Sequence, residues 1–288
     1  MTQAIFIILA VIVCLVFLES YRESRNFKIR NYVIPADKLA GVTGEIRCVL
    51  IADLHDHEYG KDNERLIRAV RSANPDFILV AGDLMTGSKG TAGLHIAESF
   101  LLNLSKEYPV FYGFGNHESK LLSDTEGTGF KRYLRDLRES GVTILDNSSV
   151  CFKARGAELR VSGLTFPKDS YARFKAMKCD SDFIKSSLGE ASPSDYQILI
   201  AHNPSGSESF AEWGADLAVS GHLHGGVARF WGGRGLITPQ FRIFVSKAVG
   251  CFKNGRGWLI VSGGLGTHSV PFRLANPPEL VVIHLIKK

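Results

Sequence analysis

Five short polar motifs hold most of the chain's capacity for chemistry: Asp53-Leu54-His55, Gly82-Asp83, Gly115-Asn116-His117-Glu118, His202, and Gly221-His222-Leu223-His224. Five of the nine histidines fall in them. Carboxylate, amide and imidazole donors without thiolate suit manganese, iron, zinc or cobalt. Cys14, Cys48, Cys151, Cys179 and Cys251 are scattered, odd in number and form no Cys-x-x-Cys pair. That pattern argues against a thiolate zinc site and a disulfide framework, and for reduced thiols. A carboxylate shared by two cations about 3.5–4 Å apart is the usual two-metal arrangement for phosphate chemistry. Taken singly, an Asp-x-His pair is commonly a surface feature, Gly-Asp a turn, and one histidine a satisfied polar side chain. The signal lies in their joint placement.

Each motif follows an apolar run of strand length. Ile46–Ala52 runs into Asp53, Phe77–Ala81 into Gly82-Asp83, and Val110–Phe114 into Gly115-Asn116. Gln197–Ala201 leads to His202, and Ala215–Ser220 to Gly221-His222. In open α/β sheets ligands bind beyond the carboxyl ends of strands, so one rim can collect all five motifs. On an extended chain, the i, i+2 spacing of Asp53 with His55, and of His222 with His224, points both side chains of a pair the same way. Gly82, Gly115 and Gly221 permit a sharp turn just before a ligand.

Between these strands, helices are predicted over Asn63–Ala73, with Leu66, Ile67 and Val70 on one face and Asp62 as N-cap, and over His95–Leu104. Another is predicted over Phe130–Glu139, closed by Gly141. Short strands are expected at Val142–Leu145, Val150–Ala154 and Leu159–Leu164, then helix plus loop over Ser170–Leu188. The part after Gly225 reads as antiparallel strands ending with Leu280–Ile286. Alternating strands and helices followed by strands predict one α/β layered domain over residues 46–288.

Ala4–Leu18 is an unbroken apolar run. Met1-Thr2-Gln3 lacks the basic residue of a signal peptide, so residues 1–20 are read as a membrane anchor and residues 21–45 as a linker and lead-in. Arg22, Arg25, Lys28 and Arg30 follow the run. By the positive-inside rule they keep the domain on the cytoplasmic side of a single-pass cell-membrane protein. The formal charge of +5 is modest, and no basic run is dense enough to argue for nucleic acid. No protein partner follows from the sequence.

As an ordered set, the five motifs resemble those of the calcineurin-like metallophosphoesterase superfamily over residues 46–226. The anchor, the His224-Gly225-Gly226 continuation and the ending from Gly263 to Leu280 resemble a small membrane-anchored bacterial branch. The resemblance implies a four-layer α-β-β-α sandwich and two divalent cations, manganese first and iron, zinc or cobalt as alternatives. One ion would take Asp53, His55 and His224, the other Asn116, His202 and His222, with Asp83 bridging. His117 would bind no metal and protonate the leaving group. Thr86 stands where many members carry a second Asp; Asp56 and His57 could take over its task or be loop residues at the rim. The implied reaction is hydrolysis of a phosphodiester, phosphomonoester or pyrophosphate by a metal-activated hydroxide, with a membrane lipid among the open substrates. The alternative is a membrane-tethered metal-binding scaffold without catalysis, against which the intact Gly-Asn-His-Glu argues.

Overall fold

The computed structural model describes residues 1–39, 41–42, 44–86, 93–123, 128–171, 179–229, 235–238, 243–267 and 271–287. The first half runs α1 (Thr2–Ser24), β1 (Lys28–Pro35), β2 (Glu45–Ile51), α2 (Glu64–Ala73), β3 (Phe77–Ala81), α3 (Leu94–Ser105), β4 (Val110–Gly113), α4 (Asn116–Ser123) and α5 (Thr128–Glu139). The second half runs β5 (Thr143–Leu145), β6 (Ser148–Ala154), β7 (Ala157–Leu164), α6 (Ser181–Leu188), β8 (Tyr196–Ala201), α7 (Ser207–Trp213) and β9 (Leu217–Ser220). It ends with β10 (Gly235–Ile237), β11 (Ile243–Val245), β12 (Gly250–Asn254), β13 (Gly257–Val261) and β14 (Glu279–Ile286).

Two six-stranded sheets form, in the orders β1-β14-β2-β3-β4-β5 and β12-β13-β9-β8-β7-β6. Alternation along single strands makes the layers. From β2, Ile46, Cys48 and Leu50 face the second sheet, where they meet Ile198, Ile200, Leu217 and Val219. Val49 and Ile51 face the other way, onto Leu66 and Val70 of α2, Phe100 of α3 and Tyr133 of α5. From β8, Leu199 and Ala201 turn outward to Ile184 of α6 and Phe210 of α7. The result is the four-layer α-β-β-α sandwich, and strands buried on both faces explain why the motif-bearing runs are continuously apolar.

Several expectations change. Lys28–Pro35, inside the segment read as a linker, is an edge strand paired in parallel with β14, Lys28 opposite Glu279 and Pro35 opposite Ile286. Asp62 does not cap α2; Asn63 takes that position in a left-handed conformation, and its Oδ1 accepts from Tyr59 N at 2.9 Å. The ending is mixed rather than antiparallel, since β13 pairs in parallel with β9 while β14 is antiparallel to β2. Of the helix-plus-loop reading over Ser170–Leu188, residues 172–178 lie outside the described residues, as do residues 268–270 of the distinctive ending.

The apolar run extends into the 23-residue α1, which is long and apolar enough to cross a membrane, with a mean hydropathy of 2.7 and 6% of its apolar window buried. Ile5, Phe6, Ile7, Ile8, Leu15 and Phe17 are all exposed. Only toward its end does the helix meet the domain, at Ser20 and Glu23, with Phe17 edge-on to Phe272.

Candidate metal centre

β2, β3 and β4 lie parallel in one sheet and β8 and β9 parallel in the other, so their carboxyl ends open at one rim. There Asp53, His55, Asp83, His117, His202, His222 and His224 are buried together. Three groups of these side chains bring their ligand atoms within 4.8 Å of one another: Asp53 with His55 and His224, His55 with Asp83 and His117, and Asp83 with His202 and His222. Asp83 Oδ2 lies 3.0 Å from His202 Nε2 and 3.9 Å from both His55 Nε2 and His117 Nε2. Asp53 Oδ1 lies 3.6 Å from His224 Nε2 and 3.9 Å from His55 Nε2. His55 Nε2 and His224 Nε2 approach to 3.1 Å.

The backbone reaches this convergence in a different way from the extended chain expected. Asp53, His55, Asp83, His222 and His224 all have positive φ, between 48° and 69°. Left-handed residues other than glycine are uncommon and carry strain of order 1–3 kcal/mol each, tolerated where surroundings over-determine them. The surroundings here are hydrogen bonds. Asp53 takes His222 N on both carboxylate oxygens at 3.1 and 3.0 Å, and Asp83 Oδ1 takes His117 N at 2.9 Å. Gly82, at φ +81°, packs so closely on Gly115 that a side chain there would meet the Gly115 backbone.

Glu118, given no role by the sequence reading, is the clamp of these loops. Its buried carboxylate accepts from Asp83 N at 2.9 Å, Leu84 N at 3.0 Å, Gly115 N at 2.9 Å and the Tyr112 hydroxyl at 2.7 Å. Burial, with Asp83 adding, raises its pKa above the usual carboxylate range. The conjunction of Asp83 and Glu118 at two loop bases was readable as two acids, but not as one holding the other's backbone. Tyr171 was also missed. Its ring stands edge-on to His222 at 5.2 Å, and its buried hydroxyl has no hydrogen-bond partner among the described residues. Asp56 Oδ1 accepts from Thr86 N at 3.2 Å, tying down the loop where the second Asp is replaced. His57 packs on Tyr59 with ring centroids 4.6 Å apart.

The electrostatics fit divalent cations. Burial pushes the Asp53 carboxyl up to about 7, with the Asp83 charge adding to it against the pull of His202. Burial works the same way on Asp83, yet His202 and His117 hold it well below the usual carboxylate range. Burial would lower His202, but Asp83 and Asp53 outweigh it and hold the imidazole up near 10. A site that recruits a proton this strongly offers the same lone pairs to a metal ion. His202 Nδ1 is engaged by the Ala81 carbonyl at 2.6 Å, which turns Nε2 toward the carboxylates. Asn116, the first residue of α4 beside His117, has a buried Oδ1 with no donor among the described residues, as an oxygen ligand would have. The donor set, carboxylates and imidazoles gathered around Asp83, therefore fits hard or borderline divalent cations.

Comparison with known proteins agrees with this geometry. The family profile described as calcineurin-like phosphoesterase matches residues 46–226. An uncharacterized protein of Bacillus subtilis, YpbG, is 26% identical over 92% of this chain and 90% of its own length. An uncharacterized metallophosphoesterase of Aquifex aeolicus is 26% identical over 92% of this chain and 94% of its own length. A Danio rerio protein described as a transmembrane protein with metallophosphoesterase domain is 25% identical over 90% of this chain and 57% of its own length. Among solved structures, the phosphopantetheinyl hydrolase of Mycobacterium tuberculosis covers 78% of this chain and 92% of its own at 15% identity, with a TM-score of 0.46.

Proposed function

The chain belongs to the calcineurin-like phosphoesterase family as a metal-dependent phosphoric ester hydrolase, and we propose that it works with two divalent cations. In this reading Asp53, His55 and His224 hold one ion, Asn116, His202 and His222 hold the other, and Asp83 bridges. The observation that carries it is the buried Asp83 Oδ2, 3.0 Å from His202 and 3.9 Å from His55 and His117, so that one carboxylate serves both sides.

Two divalent cations, when bound, supply Lewis-acid charge for the phosphoryl oxygens and acidify the attacking water. The protein's own groups do the rest. Asp83 and Asp53 neutralise the imported positive charge in a largely buried site, where charge interactions are strong. Ala81 O fixes the ring of His202, and Glu118 fixes the loops of Asp83 and Asn116. His117 holds a proton at Nε2 and passes it to the departing oxygen as general acid. Manganese is the first cation in this reading. The substrate is a phosphodiester, phosphomonoester or pyrophosphate, and α1 supports placing the domain at a membrane, on the cytoplasmic side by the charges of Arg22, Arg25, Lys28 and Arg30.

A panel of chromogenic phosphomonoesters and diesters, and of nucleotide and lipid phosphodiesters, tests this on the manganese-loaded enzyme. Turnover is expected with at least one class, is abolished by chelator, and returns with manganese. Two bound metals with no turnover on any member would sink the proposal. Alkaline extraction of membranes tests α1: the chain is expected to stay in the pellet, and its release would remove the anchor reading.

A further inference from the structure

The last turn of α1 is tied to the backbone of the candidate metal ligands. Ser20 and Glu23 are the buried side chains of this otherwise exposed helix. Ser20 Oγ accepts from Arg273 N at 2.9 Å, and the Glu23 carboxylate accepts from Asn276 N at 3.0 Å. Arg273 and Asn276 carry these contacts on toward the site through their side chains. The Asn276 side-chain amide donates to the carbonyl of His224 at 2.8 Å and also to that of Gly226. The fully buried Arg273 guanidinium donates to the carbonyls of Gly263 at 2.9 Å and Gly264 at 3.3 Å, to that of Gly266, and to Asn276 O at 3.1 Å. In turn Gly266 N donates to Asp53 O at 2.6 Å and Leu265 N to Ala52 O at 3.0 Å. Between the two residues, Ala275 sits at φ +52°, a conformation that a methyl-bearing residue adopts only when held.

We propose that Ser20 and Glu23 are positioning residues for the cation held by Asp53, His55 and His224, acting through the Arg273–Asn276 segment. The inference rests on the two-metal reading above. Its logic is geometric. Metal ligands must be held to within about 0.5 Å, and partners behind a ligand typically matter about 10–100-fold in metal affinity. Asp53 and His224 sit on separate loops in strained conformations, and both loops are pinned to one segment. That segment presents two buried backbone N–H groups whose acceptors belong to α1. Without them Arg273 N and Asn276 N lose their partners, and the carboxamide on His224 O loses its register. The helix that supplies the apolar span is thus also a wall of the catalytic domain, and a soluble form cut after residue 24 lacks it.

The test is a manganese titration of the full chain in detergent or nanodiscs, read by the electron paramagnetic signal of free manganese, with kcat and KM measured in parallel. Wild type is expected to bind two ions. Glu23→Ala is expected to weaken one of the two steps about 10-fold and leave the other near wild type. Glu23→Gln, whose amide oxygen accepts the same N–H, recovers most of the loss, and Ser20→Ala gives a smaller loss in the same step. Asn276→Ala matches Glu23→Ala, and the double variant is no weaker than the weaker single, because both act on one path. Both steps at wild-type affinity in Glu23→Ala, or additive losses in the double variant, overturn the inference. Should Glu23→Ala fail to fold, unchanged affinity in Ser20→Ala overturns it alone. Fewer than two ions in wild type sinks the two-metal reading instead, so the two failures are distinguishable.

Discussion

Asp83 is the carboxylate that three imidazoles face, so its charge and its shape can be separated by substitution. Asp83→Asn keeps the shape and removes the charge. Turnover is expected to fall by at least about 10²-fold, with metal content, measured by elemental analysis, below that of wild type. His117→Ala should behave differently: metal content is retained while kcat drops about 10²–10⁴-fold. Metal loss in that variant would make His117 a ligand instead of an acid. The raised Asp53 carboxyl carries a pH consequence. A group held up near 7 is largely protonated below that pH, and a cation binds only the ionised form. Manganese binding at pH 6 is therefore expected to release protons, and its affinity to fall as pH drops from 8 to 6, as calorimetry in buffers of different ionisation enthalpy will read. Of all this, the sequence made legible which residue types gather, because oxygen and imidazole donors at strand ends are a chemical pattern. It did not make Glu118 or Tyr171 legible, because their parts are defined by neighbours distant in the chain.

At the scale of elements, the i, i+2 pairs do come together at the rim, but through a geometry other than the expected one. The i, i+2 spacing predicts side chains sharing a face of an extended strand, whereas Asp53, His55, His222 and His224 turn through left-handed conformations after their strands end. Sequence spacing reports proximity; it does not report φ. The edge strand β1 was hidden for a related reason. Lys28–Ile29–Arg30–Asn31 is solvent-exposed, so it lacks the apolar alternation by which a half-buried strand is recognised, and its partner lies some 250 residues away. The turn Gly263–Gly266 shows how closely elements fit around the site. Gly264 has φ +71°, and an added Cβ would come within 2.8 Å of Asp53 Cβ. Gly264→Ala is expected to destabilise the fold by about 1–3 kcal/mol in chemical denaturation and to displace Asp53, lowering metal affinity as well.

Across the whole molecule, the layered α/β architecture was legible because strands alternate with helices along the chain. The paths of the last strands were not, since β14 could have joined either sheet on composition alone. At the metal-binding rim burial and charge conflict: carboxylates and several imidazoles lie buried where the two sheets meet. Cations that bind only the folded state resolve that conflict and stabilise it. Saturating manganese is expected to raise the unfolding midpoint over the chelated protein, by the equivalent of about 2.7 kcal/mol at a hundredfold excess over Kd. No difference between loaded and chelated protein in a thermal scan would mean that the ions do not bind the native fold preferentially.

The position of β14 also sets a clock. It lies between β1 and β2, so the sheet that begins with residue 28 has a gap until residues 279–286 have been made. At roughly 5–20 residues per second of synthesis, the edge of β2 waits on the order of ten seconds or more for the strand that pairs with it. Closure of this sheet is therefore a late event in the life of the nascent chain, and for that interval the backbone N–H and C=O groups along that edge of β2 lack their strand partner.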